Sequence, residues 1–270
     1  MPLNFIFTID GDWDEYFYAA RPQEQRLPDK RTLLELLDRQ LTLIADNGGK
    51  SVHFVHTSPL ARNFFLQPEF LALWKRLEAR GGNIGIHCHE EELYTAWHYA
   101  DTARMTPAID GLAQGLRNAG LSPRAYRGGF MTFCAALIPL LEKHGIKLDF
   151  SCDPGRHMVK NGALVSDWRG APDNVYRMDE RDHRKTGKSS VYEIPLGVYI
   201  EQQSLLRIWQ TCRALKKRRE EIIVAVLAHT YDFASWKMRL KIRAALLICR
   251  LHGNFIGVEQ ALEKIRGMGL

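Results

Sequence analysis

Carboxylates and imidazoles recur at short spacing in this 270-residue chain. In Thr8-Ile9-Asp10-Gly11-Asp12-Trp13-Asp14, Asp10 and Asp12 stand two residues apart. On an extended chain such residues point to one side. Two close carboxylates repel unless a cation or a shared proton joins them. One of them can then bind a hard metal while the other acts as a base. An acidic turn with Gly11 at the bend is the plainer alternative. In Ile84-Gly85-Ile86-His87-Cys88-His89-Glu90-Glu91-Glu92, His87 and His89 end an apolar run and can share a side. Imidazole is the commonest protein metal ligand near neutral pH. Glu91 follows His87 by four and shares its face if the chain turns helical. A His-x-His at a strand end followed by three glutamates points to a metal site.

Three further segments carry chemistry. Tyr126-Arg127-Gly128-Gly129-Phe130 suits a tight turn whose N–H groups can meet an oxyanion, and Arg127 can hold a carboxylate in its ionised form. It is equally a turn with a surface arginine. His229, in Leu227-Ala228-His229-Thr230-Tyr231-Asp232, ends a strongly apolar run. It can be a general acid tuned by a nearby carboxylate such as Asp149, or a hydrogen-bonded structural histidine. Asp149 lies in Asp149-Phe150-Ser151-Cys152-Asp153-Pro154, which can also be a simple strand-to-loop turn. His53 and His56 flank a further apolar run, and His56 is a candidate to line the site. Trp13, Trp97, Trp168 and Trp236 can stack on a sugar ring or simply pack.

The elements that position these residues alternate. Short strand-like runs rich in apolar residues cover 4–8, 51–55, 83–87, 124–126, 147–150, 191–194 and 222–228. Helical periodicity fills 30–47, 68–80, a stretch near 109–119, 133–144, 204–221, 234–251 and 258–268. Gly48, Gly81, Gly120 and Gly145 stand where a left-handed C′ residue stops a helix. Such alternation implies an α/β fold with parallel strands and outer helices. Seven strands suggest a closed or nearly closed barrel, whose chemistry gathers at the strand ends. An open doubly wound sheet competes with it. The polar residues Asp10, His56, His87, Arg127, Asp149 and His229 fall at such ends. Residues 153–190 break the pattern and read as a long excursion over the active face. No linker divides the chain, so residues 1–270 are expected to form one domain.

Composition narrows the class. The hydrophobic fraction is 46% and the charged fraction 25%, typical of a soluble globular chain. The start lacks a basic segment followed by an apolar core, and no run of 18 apolar residues occurs. Five scattered cysteines without a CxxC pair argue against a disulfide framework, and the expected location is cytoplasmic. The net charge is +6, with basic runs at 213–219 and 237–243. These are solvated helix faces or contacts for an anionic partner. No nucleic-acid-binding module accompanies them, so no nucleic acid is expected.

Taken in order, Thr8-Ile9-Asp10-Gly11-Asp12, His87-Cys88-His89-Glu90-Glu91, Tyr126-Arg127-Gly128-Gly129, Asp149-Phe150-Ser151 and Leu227-Ala228-His229 resemble the five motifs of the polysaccharide deacetylase family. That family is also called the NodB-homology family or carbohydrate esterase family 4. The resemblance spans residues 3 to about 232. It implies a distorted (β/α)7 barrel with a divalent metal, most often zinc. It implies Asp10 as catalytic base, Asp12 as metal ligand with His87 and His89, and Arg127 holding Asp10. His229 would protonate the leaving amine, with Asp149 tuning it. Gly128 and Gly129 would face the oxyanion and Trp13 the sugar. Three departures mark a divergent branch. Gly11 separates the aspartates, position 91 is Glu where the family has its second His, and Gly129 replaces a proline. The second imidazole ligand is therefore His89, or Glu91 takes its place.

The expected reaction is removal of an N-acyl group, acetyl or formyl, from an amino sugar of surface polysaccharide or glycolipid assembly. The substrate would be nucleotide-linked or lipid-diphosphate-linked. In the second case the basic helices 204–221 and 234–251 would touch the inner membrane face. A non-catalytic carbohydrate-binding barrel and another metal-dependent C–N hydrolase are the competing readings.

Overall fold

A computed structural model describes residues 2–19, 24–46, 50–90, 101–160 and 162–270. The element order is β1 (Leu3–Asp10), α1 (Asp14–Phe17), α2 (Lys30–Asp46), β2 (Val52–Thr57), α3 (Pro68–Ala79), β3 (Asn83–Cys88), α4 (Thr102–Asn118), β4 (Ala125–Gly128), α5 (Ile138–Lys143) and β5 (Leu148–Asp149). It continues with β6 (His157–Lys160), β7 (Ala163–Asp167), β8 (Tyr176–Arg177), β9 (Tyr192–Glu193), β10 (Leu196–Tyr199), α6 (Leu205–Lys216), β11 (Ile222–His229), α7 (Trp236–His252), β12 (Asn254–Phe255) and α8 (Val258–Gly267).

The strands order as β10-β11-β1-β2-β3-β4-β5-β9, all parallel, with β8 added antiparallel to β9. β9 and β10 belong to one extended stretch interrupted by Pro195, which has no N–H to give. Ile194 donates to the Asp149 carbonyl on one side, and the Pro195 carbonyl accepts from Ala225 on the other, both at 2.8 Å. Residues 192–199 thus join the two ends of the sheet and make seven strand positions around a distorted α/β barrel. β10 was not expected from the sequence, because Pro195 and Gly197 disguise its extended run.

β1 and β11 are buried along their whole length, as central parallel strands are. Their side chains alternate. Phe5, Phe7 and Ile9 face outward with Val224, Val226 and Ala228 beneath α6 and α7. Ile6, Phe54, Ala125, Leu148, Phe150, Ile223 and Ala225 pack in the ring interior. α8 closes the lower end of that interior with Val258, Ala261 and Ile265. The same parity sends Thr8, Asp10, His56, His87, Arg127 and His229 inward at the upper strand ends.

The outer helices follow their periodicity. Leu33, Leu37, Leu41 and Ile44 of α2 are all buried. Burial of each such side chain is worth roughly 1.5–3 kcal/mol. Gly81, Gly120 and Gly145 take φ of +87°, +80° and +67°, as their positions after helices predict. Gly48 lies outside the described residues. The helix expected at 109–119 starts earlier, at Thr102, where the Asp101 side chain accepts from the Arg104 N–H. The helix expected at 133–144 begins as a 3-10 turn over Ala135–Leu137, and Pro139 sets the start of α5. The 153–190 excursion contains the antiparallel β6–β7 hairpin. Its Trp168 is buried and donates to the Met131 carbonyl at 2.8 Å, which pins the segment over the upper ring face.

Candidate active site

Sheet register places the chemistry side by side. Asp10 pairs with His229 across β1 and β11, His56 with His87 across β2 and β3, and His87 with Arg127 across β3 and β4. Gly11 continues β1 and donates to the Phe54 carbonyl at 3.0 Å. A Cβ there would come within 2.6 Å of that oxygen. The glycine between the two aspartates is therefore a requirement of close backbone approach, and it carries Asp12 over the end of β2.

Arg127 is fully buried. Its Nη1 donates to Asp10 Oδ1 at 2.7 Å, Nη2 to Thr8 Oγ1 at 3.0 Å and Nε to the Phe150 carbonyl at 2.9 Å. The fork fixes one Asp10 oxygen. The other, Oδ2, lies 3.8 Å from His87 Nε2.

Asp12, His56 and His89 offer ligand atoms that all lie within 4.8 Å of one another, and His87 adjoins them. His87 Nε2 is 3.0 Å from His89 Nε2 and 3.5 Å from Asp12 Oδ2. Asp12 Oδ1 is 3.5 Å from His56 Nε2 and 3.7 Å from His89 Nε2. His87 Nδ1 hydrogen-bonds the Arg127 carbonyl at 2.9 Å, which turns its Nε2 toward the cluster. Burial opposes a charged His87, but Asp10 and Asp12 outweigh it and push its pKa up to about 9. Burial would raise Asp12, yet His87, His89 and His56 hold it well below the usual carboxylate range. Burial and the neighbouring His89 push His56 far down, so its imidazole is neutral. Asp12 Oδ1 and both ring nitrogens of His56 are buried without a hydrogen-bond partner among the described residues. A divalent cation fits this set. It would supply the charge that a proton on His87 otherwise supplies, and it would use the orphaned donors. Three nitrogens and a carboxylate oxygen match a borderline metal.

The sequence pattern marked Asp12, His87 and His89, and the structure brings all three together. It adds His56, which the sequence flagged only as lining the site. Glu91 lies outside the described residues, as do Trp97 and His98.

A ring nitrogen of His229 lies within 4.8 Å of carboxylate oxygens of both Asp10 and Asp12. Its carboxylate neighbours are Glu201, at 3.5 Å from Nδ1, and Asp232, at 3.8 Å. Tyr231 stacks flat on the ring at 4.8 Å. Burial disfavours the imidazolium, but Asp232, Asp10 and Asp12 raise its pKa above the ordinary value. Asp149, expected as the tuning partner, is engaged elsewhere. It accepts from Ser151 Oγ at 2.8 Å and pairs across the sheet with Glu193. Burial raises both of these carboxyl groups, and they share a hydrogen bond. The reason is register: Asp149 sits one strand beyond Arg127, whereas His229 sits on the far side of Asp10. Asp232, three residues after His229, was the sequence signal for its real neighbour.

Two other expectations are relocated. Trp13 packs edge-on against His56 at 4.8 Å and donates to the Arg26 carbonyl at 2.7 Å. It supports the cluster from behind and is not part of the cavity lining. Gly128 lines the cavity, but its N–H is already donated to Ser151 Oγ at 2.9 Å, so that N–H does not face an oxyanion. The chain bends sharply next to it, with Phe130 and Met131 at φ +53° and +61°. Two consecutive left-handed side-chain-bearing residues store strain, and such strain clusters at functional sites.

The cavity measures about 260 Å³. Asp10, Asp12, His87, His89 and His229 form its floor, and Phe17, Phe130, Tyr199 and Gln202 its walls. Arg156 and Met158 reach in from the 153–190 segment, which does cover this face.

The architecture has known counterparts. A protein assigned as a polysaccharide deacetylase from Mycobacterium smegmatis superimposes with a TM-score of 0.66 over 100% of this chain and 92% of its own, at 15% identity. The fold is that of the polysaccharide deacetylases. A second protein so assigned, from Pseudomonas aeruginosa PAO1, gives 0.61 over 96% and 89%, at 14% identity. The PuuE allantoinase gives 0.63 over 94% and 86%, at 13% identity. No protein-family model and no curated sequence matches the chain.

Proposed function

We propose that this chain is a metal-dependent hydrolase that removes an N-acyl group, acetyl or formyl, from an amino sugar of surface polysaccharide or glycolipid assembly. One observation carries the reading. A carboxylate gripped by a buried arginine, the Asp12, His87 and His89 side chains of a candidate cation cluster, and a histidine of raised pKa line one cavity on a deacetylase fold.

Asp12, His56, His87 and His89 would hold the cation, most fittingly zinc. When bound, it would polarise the acyl carbonyl and acidify the attacking water. Asp10, fixed by Arg127, receives the water proton through its free oxygen. His229, whose pKa the neighbouring carboxylates raise, gives a proton to the amine as the C–N bond breaks. Water thus adds to the acyl carbon, and a carboxylic acid and a free amine leave. The strained turn borders the cavity through Phe130 and Met131, so its N–H groups are the candidates to meet the developing oxyanion. The aromatic walls of Phe17, Phe130 and Tyr199 offer faces to a sugar ring.

A different C–N hydrolase is the second reading, and the allantoinase match supports it. A purely binding role would leave Asp10, Arg127 and His229 without a task. The test is acyl release from N-acetyl and N-formyl hexosamines, nucleotide-linked and lipid-diphosphate-linked, beside cyclic amides. Asp10→Asn and His229→Ala should each slow turnover by about 10²–10⁴. Wild-type rates in both variants, on a substrate the enzyme does turn over, would remove the assignment.

A further inference from the structure

Leucine and tryptophan crowd one outer surface. Leu205, Leu206 and Trp209 of α6 and Trp236, Leu240, Leu247 and Leu251 of α7 are all exposed, Leu206, Trp236 and Leu251 by 64%, 61% and 68%. The other large exposed apolar residues, such as Leu27 and Leu60, are scattered. The pattern is helical. α7 turns Ile242, Ala245, Leu246 and Cys249 inward, and its opposite face runs Trp236, Leu240, Arg243, Leu247, Arg250 and Leu251. α6 turns Ile208 and Cys212 inward and carries Leu206, Trp209 and Arg213 on the other side. The helices lie against each other, with Cys212 Sγ 3.8 Å from Cys249 Sγ and the Trp209 ring 6.4 Å from His252. Their outer faces therefore adjoin.

The charge on these two helices has one sign. α6 has three lysines and arginines, α7 has five, and neither has an acidic residue. The whole chain nets only +6. Arg213 lies over the Trp209 ring at 5.3 Å and Lys237 near the Trp236 ring at 5.9 Å, so cation and aromatic stand together.

We propose that α6 and α7 form a docking surface for an anionic lipid bilayer. Leucines and tryptophans interleaved with arginine and lysine match the headgroup–acyl boundary, where apolar side chains enter and cations meet phosphates. A second copy of the chain would bring the same positive charges against these, which like-charge repulsion opposes. A nucleic acid would satisfy the cations but leave the leucines without partners, since bases stack on aromatic faces. The docking rests on this surface alone. Its consequence for substrate rests on the proposed function: α6 begins shortly after Tyr199 and Gln202, and α7 shortly after His229. A docked helix pair sets the cavity mouth beside the bilayer, where a lipid-diphosphate-linked amino sugar is presented.

The test is sedimentation of the full chain with vesicles of phosphatidylcholine alone or mixed with phosphatidylglycerol. Binding is expected to the mixed vesicles only, and to weaken with salt. The double variants Trp236→Ser/Leu247→Ser and Arg213→Glu/Lys237→Glu should each lower partitioning about tenfold or more. Their thermal melting and their turnover of a water-soluble substrate should stay at the wild-type level, which separates docking from catalysis. Equal binding to both vesicle types, or binding indifferent to both variants, overturns the proposal. So does a dimer in sedimentation velocity that Leu247→Ser dissolves, or binding to duplex DNA without binding to vesicles.

Discussion

Arg127 and Asp10 stand 117 positions apart in sequence, and the arginine Nη1 reaches the aspartate Oδ1 at 2.7 Å inside the ring. The guanidinium also bonds Thr8 and Phe150, so it ties the ends of β1, β4 and β5 together around Asp10. Arg127→Met leaves the Asp10 carboxylate buried without its counter-charge, at a cost of about 3–5 kcal/mol. Arg127→Lys keeps the charge but not the fork, so it should lose less stability while turnover still falls. Denaturant unfolding beside kcat measures both. A methionine variant as stable as the wild type would contradict the geometry.

Two departures from the family pattern belong together. A Cβ on Gly129 would stand 2.3 Å from His89 Nδ1, so the imidazole lies where any other residue at 129 would project. A proline there and a histidine at 89 exclude one another. Gly129→Ala should displace His89, lower zinc affinity about 10–100-fold and reduce activity with it. Competition with a chromogenic chelator reads the affinity. An unchanged dissociation constant would separate His89 from the cation.

His56 brings a metal prediction of its own. Chelation should lower the melting temperature, and zinc should restore it, because a cation bound only by the folded state stabilises it by mass action. His56→Ala should weaken that recovery as strongly as His87→Ala does. Metal content after gel filtration is the second readout. If His56→Ala retains full stoichiometry and full thermal recovery, the cation is held by Asp12, His87 and His89 without it.

Much of this was legible in the sequence, for physical reasons. The seven strand-like runs were found because strands buried on both faces are short apolar runs, and the polar residue that ends six of them stands out. Asp10, His87, Arg127 and His229 share inward parity, which period-two alternation delivers once the strands are placed. What stayed hidden depends on neighbours across the sheet. His56 joins Asp12, His87 and His89 only through the pairing of β2 with β3. Trp13 sits three residues beyond the end of β1 and turns behind His56. Glu201 reaches His229 because β10 pairs with β11, and β10 was masked by Pro195 and Gly197.

The partner of His229 yields the sharpest pH prediction. Asp232, Asp10 and Asp12 raise the His229 pKa above its ordinary value against the effect of burial. A general acid must be protonated to act, so activity should fall as pH rises past that raised value, at a higher pH than an ordinary imidazole would set. Asp232→Asn removes one of the charges that raise it. The alkaline limb of kcat against pH should then move toward acid. Asp149→Asn should leave the limb in place, because Asp149 bonds Ser151 and Glu193 on another strand. Its effect should appear in stability instead, where the buried Glu193 carboxyl exchanges a carboxyl partner for an amide. If Asp149→Asn shifts the limb and Asp232→Asn does not, the carboxylate that tunes the acid is the distant one, and the pairing drawn from the structure fails.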